Sequence, residues 1–567
     1  MKKQPVIISL FVMLTAIFVC WGCKKSQETF EPVLLVNTDY LVVTGKSSTY
    51  FFDLLSNNDA TLSTDVDWIQ LDTTALGKGK HRVGFSTLTN DGEERSGTIT
   101  VNTADESSKE LLVLQEAGLV SIFYVKPDGN GNGRSWEQAA NLATALQNAT
   151  SGSVIHLAEG TYVPSKVISG GDASNPGDLT FEISKNIHLI GGYPAAATNG
   201  TTADPTRYKT VFSGLQAGGA KSFHVVTITA PVATDERVVL EGITMRDGDA
   251  ADRGINITVG DKQFSRGNGG GMIIGGSKVL LDQVAVVENV ASSRAGVAGQ
   301  CAGLYIFGGA EVEIRNSKIN KNSNGVNNGG GLWVNESKAL IFDSEVNANY
   351  AKGTASGVHA FPNAEVHLYN TKVQDNNNTS FGAGIYARQN SKIILVNCLV
   401  TGNVTTSGNG GGGVMLYDNS TGDIISSTIT ANGAAGPGGG IFRRQNTNKL
   451  TLINTIVSGN VQSASSSDVD AYEAEAAAPI RKSVIEGSSV YSDAGTALSG
   501  ITFRPQTMLG NGFRLIGEDN PAQVYGLAAS ALDVIGKGYT PILNSEILRD
   551  LEGESRENKK VMGALVR

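Results

Sequence analysis

Aromatic and arginine side chains recur at two positions of a repeat of about 27 residues in the second half of the chain. The residues with this chemistry are Tyr305, Trp333, His359, Tyr386 and Phe442, with Phe361, Arg388 and Tyr417 two places further along their strands. Sugar rings pack on aromatic faces, and guanidinium groups bind acidic or hydroxyl groups. We expect these side chains to point outward and form an elongated glycan-binding face. The alternatives are a stabilising ladder of rings, or a face covered by a loop or by the first domain.

The carboxylates and histidines identify no catalytic centre. Asp247, Asp249 and Asp252 have a spacing that would suit calcium, although a polar loop between coils is the preferred interpretation. A polysaccharide lyase needs clustered carboxylates with an Arg or Lys base, and a glycosidase needs two carboxyl groups about 5–10 Å apart. Glu311 and Glu313 share one strand face without an evident partner, and the histidines have no metal-binding spacing. The catalytic residues stay unknown, and calcium is the one cofactor considered.

Two independent markers place these residues on stacked coils. A glycine precedes each hydrophobic strand, at Gly271, Gly303, Gly331, Gly357, Gly384, Gly413 and Gly440. An asparagine ends each half-coil, at Asn289, Asn322, Asn349, Asn376, Asn403, Asn432 and Asn460. A shared period of about 27 residues without helical spacing predicts a parallel β-helix whose coils stack at about 4.8 Å. The clear repeats cover 265–462.

Alternation along each strand divides the side chains into inward and outward columns. Leu332 and Val358, which follow marker glycines, are predicted to point inward, as are Val373 and Leu395. A polar column lies six residues before the marker asparagines. We interpret this column as an inward ladder of amide hydrogen bonds at a bend, formed by Asn316, Asn370, Asn397 and Asn454.

The composition excludes nucleic acid as an expected partner. The 567 residues carry 45 Lys and Arg against 54 Asp and Glu, a net charge of −9. Proteins that bind nucleic acid usually present a basic domain. The 69 glycines do not follow the period of collagen, so they belong at turns and close contacts. We expect a monomer.

The first residues predict export. Lys2 and Lys3 precede the apolar run 6–19, and Gly22 and Cys23 follow it. A charged start, an apolar run shorter than a membrane span and a small residue before the cut are typical of a signal peptide, here 1–22. The ending resembles a bacterial lipobox, which implies a lipid on Cys23 and an outer-membrane location, with the surface favoured over the periplasm. The alternative is an ordinary signal peptide cut nearby.

Besides Cys23, two cysteines lie beyond the signal peptide. Cys301 and Cys398 lie about three coils apart in the predicted register, or about 14 Å. A disulfide requires Cα atoms within about 7 Å. We therefore predict two free thiols.

A small β-sandwich is predicted at 33–118, after a linker at 23–32, from short strand-like runs separated by polar turns. Trp68 within Val66-Asp67-Trp68-Ile69, the stretch 90–99 and Val113-Leu114-Gln115-Glu116-Ala117-Gly118 resemble the BACON domain family. That resemblance implies an immunoglobulin-like module of carbohydrate-active surface lipoproteins. The module is either a spacer, which is preferred, or a sugar-binding domain.

The body at 121–567 resembles the right-handed parallel β-helix, or pectate-lyase-like, superfamily. The resemblance rests on Tyr124-Val125-Lys126-Pro127-Asp128-Gly129, on the coils, and on a closing segment at 480–567 that includes Val561-Met562-Gly563-Ala564. Ser135 and Gln138 form a capping box ahead of one amphipathic helix, which we expect to cap the open end of the solenoid.

These observations favour a non-catalytic or adhesin-like surface lipoprotein that binds an extended polysaccharide or a host glycan. An anchored polysaccharide lyase or glycoside hydrolase of the same fold is the alternative.

Overall fold

A computed structural model describes residues 33–462, apart from 46, 91–93, 105–106, 117–120, 233–235, 295, 446, 454 and 459, together with 480–481 and 484–485. The predicted signal peptide, Cys23, the predicted linker and almost all of the predicted closing segment lie outside the described residues. The protein is an all-β molecule whose body is a parallel β-solenoid of about 11 turns, as the sequence predicts. No helix among the described residues has the length and apolar character needed to cross a membrane.

The first domain consists of two sheets around one core. One sheet contains the strands Leu34–Val36, Ser48–Ser56, Gly79–Thr87 and Ile69–Leu71, and the other contains Tyr40–Val43, Ser108–Gln115, Arg95–Thr103, Ala60–Thr64 and Ala75–Leu76. Alternate residues of these strands, including Phe52, Phe85 and Val113, form the buried core with Trp68. These two sheets form the β-sandwich that the sequence predicts for the first domain.

Four parallel sheets, which we call sheets I to IV, form the body. Sheet I contains Ile122–Val125, Val154–Ala158, His188–Tyr193, Val238–Glu241, Lys278–Asp282, Glu311–Arg315, Lys338–Phe342, Glu365–Tyr369, Lys392–Val396, Thr421–Ile425, Lys449–Ile453 and Ile480–Arg481. Sheet II contains Gly160–Tyr162, Thr210–Ser213, Ile243–Arg246, Ala285–Val287, Lys318–Asn320, Glu345–Asn347, Lys372–Gln374, Leu399–Thr401, Thr428–Thr430, Ile456–Ser458 and Val484–Ile485.

The other two sheets complete each coil. Sheet III contains Phe181–Ile183, Val226–Ile228, Met272–Gly275, Leu304–Phe307, Leu332–Val334, Val358–Ala360, Ile385–Ala387, Val414–Leu416 and Ile441–Arg443. Sheet IV contains the two-residue strands Asp249–Ala250, Val290–Ala291, Ser323–Asn324, Tyr350–Ala351, Asn377–Asn378, Val404–Thr405, Gly433–Ala434 and Val461–Gln462. Two hairpins project from the coils, Asn256–Val259 with Lys262–Ser265, and Ser293–Arg294 with Val297–Ala298.

The register confirms the inward columns. Leu332 pairs with Val358, and both belong to the continuous core that runs along the solenoid. Val373 and Leu395 are fully buried in the same core. Each coil therefore contributes aliphatic side chains to one interior that the neighbouring coils extend.

The buried amide ladder runs along the marker asparagines. The Nδ2 of Asn349 donates to the Oδ1 of Asn376 over 2.9 Å, and Asn376 donates to Asn403 over 2.8 Å. The same bond recurs from Asn289 through Asn460. A Cβ at Gly331 would lie 2.9 Å from the Nδ2 of Asn349 and 2.8 Å from the carbonyl oxygen of Gly357, so glycine is required beside the ladder. The two sequence markers are thus in contact with each other.

The predicted column at Asn316, Asn370 and Asn397 does form amide hydrogen bonds between coils, because Asn316 donates to Asp282 over 2.9 Å and Asn370 donates to Asp343 over 3.2 Å. Its predicted inward direction is wrong for Asn316 and Asn370 but holds for Asn397, which is buried, and Asn454 lies outside the described residues. These residues occupy the bend between sheets I and II in the left-handed conformation, with φ of 47°, 48° and 56°. Asn397 does donate to Asn370, over 2.6 Å, but Asn316 is exposed and Asn370 is half-buried. Asparagine tolerates the left-handed region better than most residues do, so backbone geometry explains this column.

The capping helix is present but begins later than the sequence suggests. It spans Leu142–Asn148 with Asn141 as its N-cap, and the Oδ1 of Asn141 accepts from the backbone N–H of Thr144 over 2.9 Å. Ser135 accepts from the N–H of Gln138 in a preceding turn. Leu142 and Ala145 enter the solenoid core. A short 3₁₀ turn follows at Pro176–Asp178.

The sandwich packs against sheet I. Asp53 accepts from the Nη1 of Arg315 over 3.0 Å, and Lys80 forms an ion pair with Asp343. The predicted glycan-binding residues lie on sheet III, so these contacts between the sandwich and sheet I do not cover them.

Both cysteines within the described residues are free and buried, which confirms the predicted thiols at Cys301 and Cys398. Burial raises the pKa of the Cys301 thiol well above its usual range, so this group stays protonated.

Candidate functional site: the outer side of sheet III

Half of the predicted glycan-binding side chains are buried. Tyr305, Trp333, His359 and Tyr386 are 7%, 4%, 2% and 1% exposed. They do lie outside the solenoid core, because Tyr305 and Trp333 belong to one separate cluster and Tyr386 to another. His359 packs between the rings of Trp333 and Tyr386. The outward direction was therefore predicted correctly, but the expected exposure of these four residues is wrong. Strand alternation tells which side of a sheet a residue faces and carries no information about what covers that side.

A hairpin covers the first coils of this column. Ile257, Val259 and Phe264 of the hairpin share a cluster with Tyr305 and Trp333. The turn between the two hairpin strands is Gly260-Asp261, flanked by alternating apolar residues. This arrangement is the sequence signal from which the covering hairpin is recognisable.

Glycine-containing loops cover the later coils. Gly382 has a φ of 57°, and a Cβ there would lie 2.6 Å from the Cβ of Tyr386. The loop backbone can therefore turn directly over the ring. Phe381, in the same loop, packs against the cluster that contains Tyr386 and Met415.

The buried rings form a stack along the solenoid axis. The ring centroids of Trp333 and His359 are 4.3 Å apart, and those of His359 and Tyr386 are 5.2 Å apart with the planes 3° from parallel. The indole N–H of Trp333 donates to the carbonyl oxygen of Phe361 over 3.1 Å. These contacts favour the stabilising ladder for the buried half of the face.

His359 carries no hydrogen bond on either ring nitrogen. Burial, helped by the positive charge of Arg388, lowers its pKa from 6.5 to about 3. The imidazole is therefore neutral at physiological pH. Burial also raises the pKa of Tyr386 to about 12.

The remaining predicted residues stay partly exposed at the border of the ring stack. Phe361, Arg388 and Tyr417 occupy equivalent positions of successive coils, as does the exposed Arg444, and we call these four residues the edge column. The guanidinium of Arg388 lies 4.5 Å from the Phe361 ring centroid and 5.8 Å from that of Tyr417. Phe442 is also half-buried. Arginine and aromatic side chains thus alternate along the axis at an accessible border.

Phe381 extends the edge column from a loop. The guanidinium of Arg444 lies 4.7 Å from both the Phe381 and the Tyr417 ring centroids. Phe381 lies outside the repeated strand positions, so the repeat gave no signal for it. Neither Arg388 nor Arg444 forms an ion pair with another described residue. Two cations are therefore held between rings without a carboxylate partner in the described part of the chain.

The carboxylates do not assemble at this border. Glu336 and Asp418 each lie two residues after a strand of sheet III, and they are three coils apart, which corresponds to about 14 Å. Glu311 and Glu313 lie on sheet I, where Glu313 pairs with Arg315 and with Arg237 at 3.4 Å. The carboxylates considered from the sequence therefore lie away from the edge column.

The three aspartates considered as calcium ligands do not share one site. Asp247 accepts from Ser213 over 2.7 Å and from Arg246 over 2.8 Å, whereas Asp249 accepts from Ser292. Asp252 lies 3.8 Å from Arg266. No group of three or more potential metal ligands occurs among the described residues. The polar-loop interpretation agrees with these separate partners.

Similarity to known proteins is confined to the fold. The sequence matches no curated protein. Pectate lyase Pel9A is 15% identical, with 62% of this chain and 78% of that chain covered and a TM-score of 0.32. A Yersinia enterocolitica family 28 exopolygalacturonase is 10% identical, with 75% and 91% covered and a TM-score of 0.26. Scores of this size give no information about ligand or reaction. Residues 302–474 match the family described as "Right handed beta helix region", and the coils of this protein are a right-handed parallel β-helix.

Proposed function

We propose that this protein is an exported lipoprotein that binds carbohydrate along the edge column of its β-helix without cleaving it. The ligand would be an extended polysaccharide or a host glycan lying along the solenoid axis. The anchor would be a lipid on Cys23, holding the protein at the outer membrane.

The observation that supports binding is the alternation of Arg388, Tyr417 and Arg444, which stack on one another and are all at least partly exposed. The repeat of about 4.8 Å per coil places an aromatic or guanidinium group at regular intervals along a line. Rings offer faces to sugars, and guanidinium edges donate to hydroxyl or carboxylate oxygens. Because stacking already holds the side chains in place, less conformational entropy is lost when a ligand binds.

The separation of the carboxylates favours binding over glycoside hydrolysis at this border. The pair of carboxyl groups in a glycosidase lies within about 10 Å. Glu336 and Asp418 are separated by about 14 Å along the axis. A hydrolase or lyase acting elsewhere on the β-helix remains the second hypothesis, which the experiment below also tests.

The decisive experiment is affinity electrophoresis of the wild-type protein and the Arg388→Ala/Tyr417→Ala variant against a panel of neutral and acidic polysaccharides. We expect the wild type to be retarded by at least one polysaccharide. The double variant should lose about tenfold or more in affinity, because each stacking or guanidinium contact contributes about 1 kcal/mol.

The matched control is Lys318→Ala/Tyr350→Ala. Lys318 is 60% exposed in its side chain on sheet II and Tyr350 is 37% exposed on sheet IV, so the control removes one cation and one ring elsewhere. Equal retardation of both double variants and the wild type would contradict the edge column as the binding site. Release of unsaturated products or reducing ends from the retarding polysaccharide would replace the binding proposal with catalysis.

A further inference from the structure

A second concave site lies at the other end of the solenoid. A cleft of about 440 Å³ is lined by Lys126, Asp128, Trp136, Glu137 and Glu159, with small residues such as Ala158 between them. Asp128 follows the first strand of sheet I, Glu159 joins sheets I and II, and Trp136 and Glu137 precede the capping helix. The first coils and the cap therefore build the cleft together, far along the axis from the edge column.

Trp136 forms the rigid floor of this cleft. It is 2% exposed, and its ring centroid lies 5.0 Å from that of Tyr124 and 5.2 Å from that of Tyr193. Tyr193 in turn stacks on His156, with centroids 4.8 Å apart. A four-ring cluster thus fixes the orientation of the indole.

The indole N–H of Trp136 is an unused donor. It has no acceptor among the described residues. Its Nε1 is not among the fully buried polar atoms that lack a partner, so this atom keeps some solvent exposure. Because Trp136 lines the cleft, the cleft is the side from which a ligand atom could reach this N–H. A buried donor without a partner costs stability unless water or a ligand satisfies it.

The charges of the lining are strongly biased. Asp128, Glu137 and Glu159 face one cation, Lys126. Glu159 uses Oε1 to accept from the backbone N–H of Ala195 over 3.0 Å, which holds the carboxylate at the rim. A hydrogen bond from Ser135 lowers the pKa of Glu137, so this carboxylate is ionised at neutral pH.

We propose that this cleft binds a small hydroxylated ligand that carries an ammonium group, of the amino-sugar class. A hydroxyl oxygen would accept from the Trp136 N–H at the edge of the indole, and the carboxylates would hold the ammonium group. This site is independent of the edge column, because it uses other residues at the opposite end of the described coils.

The test is calorimetric titration of the whole protein with glucosamine, glucose and N-acetylglucosamine. These probes share a ring, and glucosamine alone carries a positive charge at neutral pH. We expect glucosamine to bind about tenfold or more tightly than either neutral sugar, and the preference to weaken as salt is added. Equal affinities, or no binding of any of the three, would overturn the proposal.

Two variants distinguish the contribution of the carboxylates from that of the Trp136 indole. Glu137→Gln/Glu159→Gln should remove the preference for glucosamine while the melting temperature stays within a few degrees, because both side chains reach the surface. Trp136→Phe keeps a ring and removes the N–H, so affinity for glucosamine should fall several-fold.

The control variants are Glu345→Gln, on sheet II, and Arg388→Ala/Tyr417→Ala, and both should bind glucosamine as the wild type does. If Trp136→Phe does not fold, the glucosamine preference of Glu137→Gln/Glu159→Gln alone tests the proposed site. A glucosamine preference that survives Glu137→Gln/Glu159→Gln would refute the site.

Discussion

His359 shows at the scale of one residue how burial overrides the chemistry of a side chain. An imidazole on a strand face normally titrates near neutrality. Here Trp333 and Tyr386 enclose the ring, both nitrogens lack partners, and the pKa falls to about 3. The residue therefore acts as a neutral aromatic ring in the stack, and a role for it as a glycan contact has no support in this conformation.

The neutral state of His359 predicts a dependence of stability on pH. Between pH 6.5 and about 3 the unfolded chain binds a proton that the folded chain does not, so the free energy of unfolding decreases as the pH falls through this window. The contribution is about 2 kcal/mol at pH 5 relative to pH 7.5. His359→Phe should lose less stability over this range in urea unfolding experiments.

His224, whose pKa burial lowers to about 4, is the reference for this experiment. His224 still contributes to the pH dependence of the free energy of unfolding in His359→Phe. That pH dependence should therefore become weaker in the variant but not disappear. Parallel stability curves for the wild type and His359→Phe would show that His359 is protonated or accessible in the native state.

The asparagine ladder is the element that holds successive coils in register. Each side chain spans two coils, because its Oδ1 accepts from the backbone N–H and from the Nδ2 of the previous asparagine, as Asn376 does from Asn349 at 3.1 and 2.9 Å. Its Nδ2 also donates to the carbonyl oxygen of Val346 over 2.9 Å. The ladder thus satisfies polar backbone groups at a bend where the sheets end.

Asn376→Ala should therefore destabilise the body by about 3 kcal/mol or more. The change leaves two donors of Asn349 and one carbonyl oxygen buried without partners, and each orphaned group costs about 1–3 kcal/mol. Thermal unfolding monitored by circular dichroism measures the loss.

Asn347→Ala is the matched control, because Asn347 lies two residues before the ladder on sheet II and is only half-buried. Its melting temperature should stay close to that of the wild type. Equal melting temperatures for the two variants would remove the ladder from its proposed stabilising role.

At the scale of the whole molecule, the sandwich is docked on sheet I. Arg315 connects the two domains, since it binds Asp53 at 3.0 Å, pairs with Glu313 and lies 5.5 Å from the Phe342 ring centroid. The spacer interpretation of the first domain therefore needs one refinement: the sandwich would lift the β-helix from the membrane as a docked body. The linker 23–32 would span at most about 35 Å.

The anchor proposal predicts the behaviour of Cys23→Ala. If a lipid on Cys23 holds the protein, this variant should move from the membrane fraction to the soluble fraction, because a lipid chain contributes about 0.8 kcal/mol per buried methylene group. Mass spectrometry of the wild type should show the added acyl chains. Membrane partition that is the same in Cys23→Ala and in the wild type would contradict the anchor.

The sequence by itself determined the architecture. Marker glycines and asparagines repeat because every coil must solve the same packing problem, as Gly331 beside Asn349 illustrates. Alternation then assigned Leu332 and Leu395 to the interior correctly, since a strand has only two sides. These features are periodic, and a periodic pattern can be recognised from the sequence alone.

Only the tertiary structure decided which outward residues meet solvent. Tyr386 is covered by a loop that turns at Gly382, and Trp333 by a hairpin more than 60 residues earlier in the chain. Neither cover follows the repeat. The edge column and the Trp136 cleft likewise arise where non-repeating segments, at Phe381 and before the capping helix, meet the regular coils. Contacts between distant, aperiodic segments leave no periodic trace in the sequence, and the accessible chemistry of this protein depends on them.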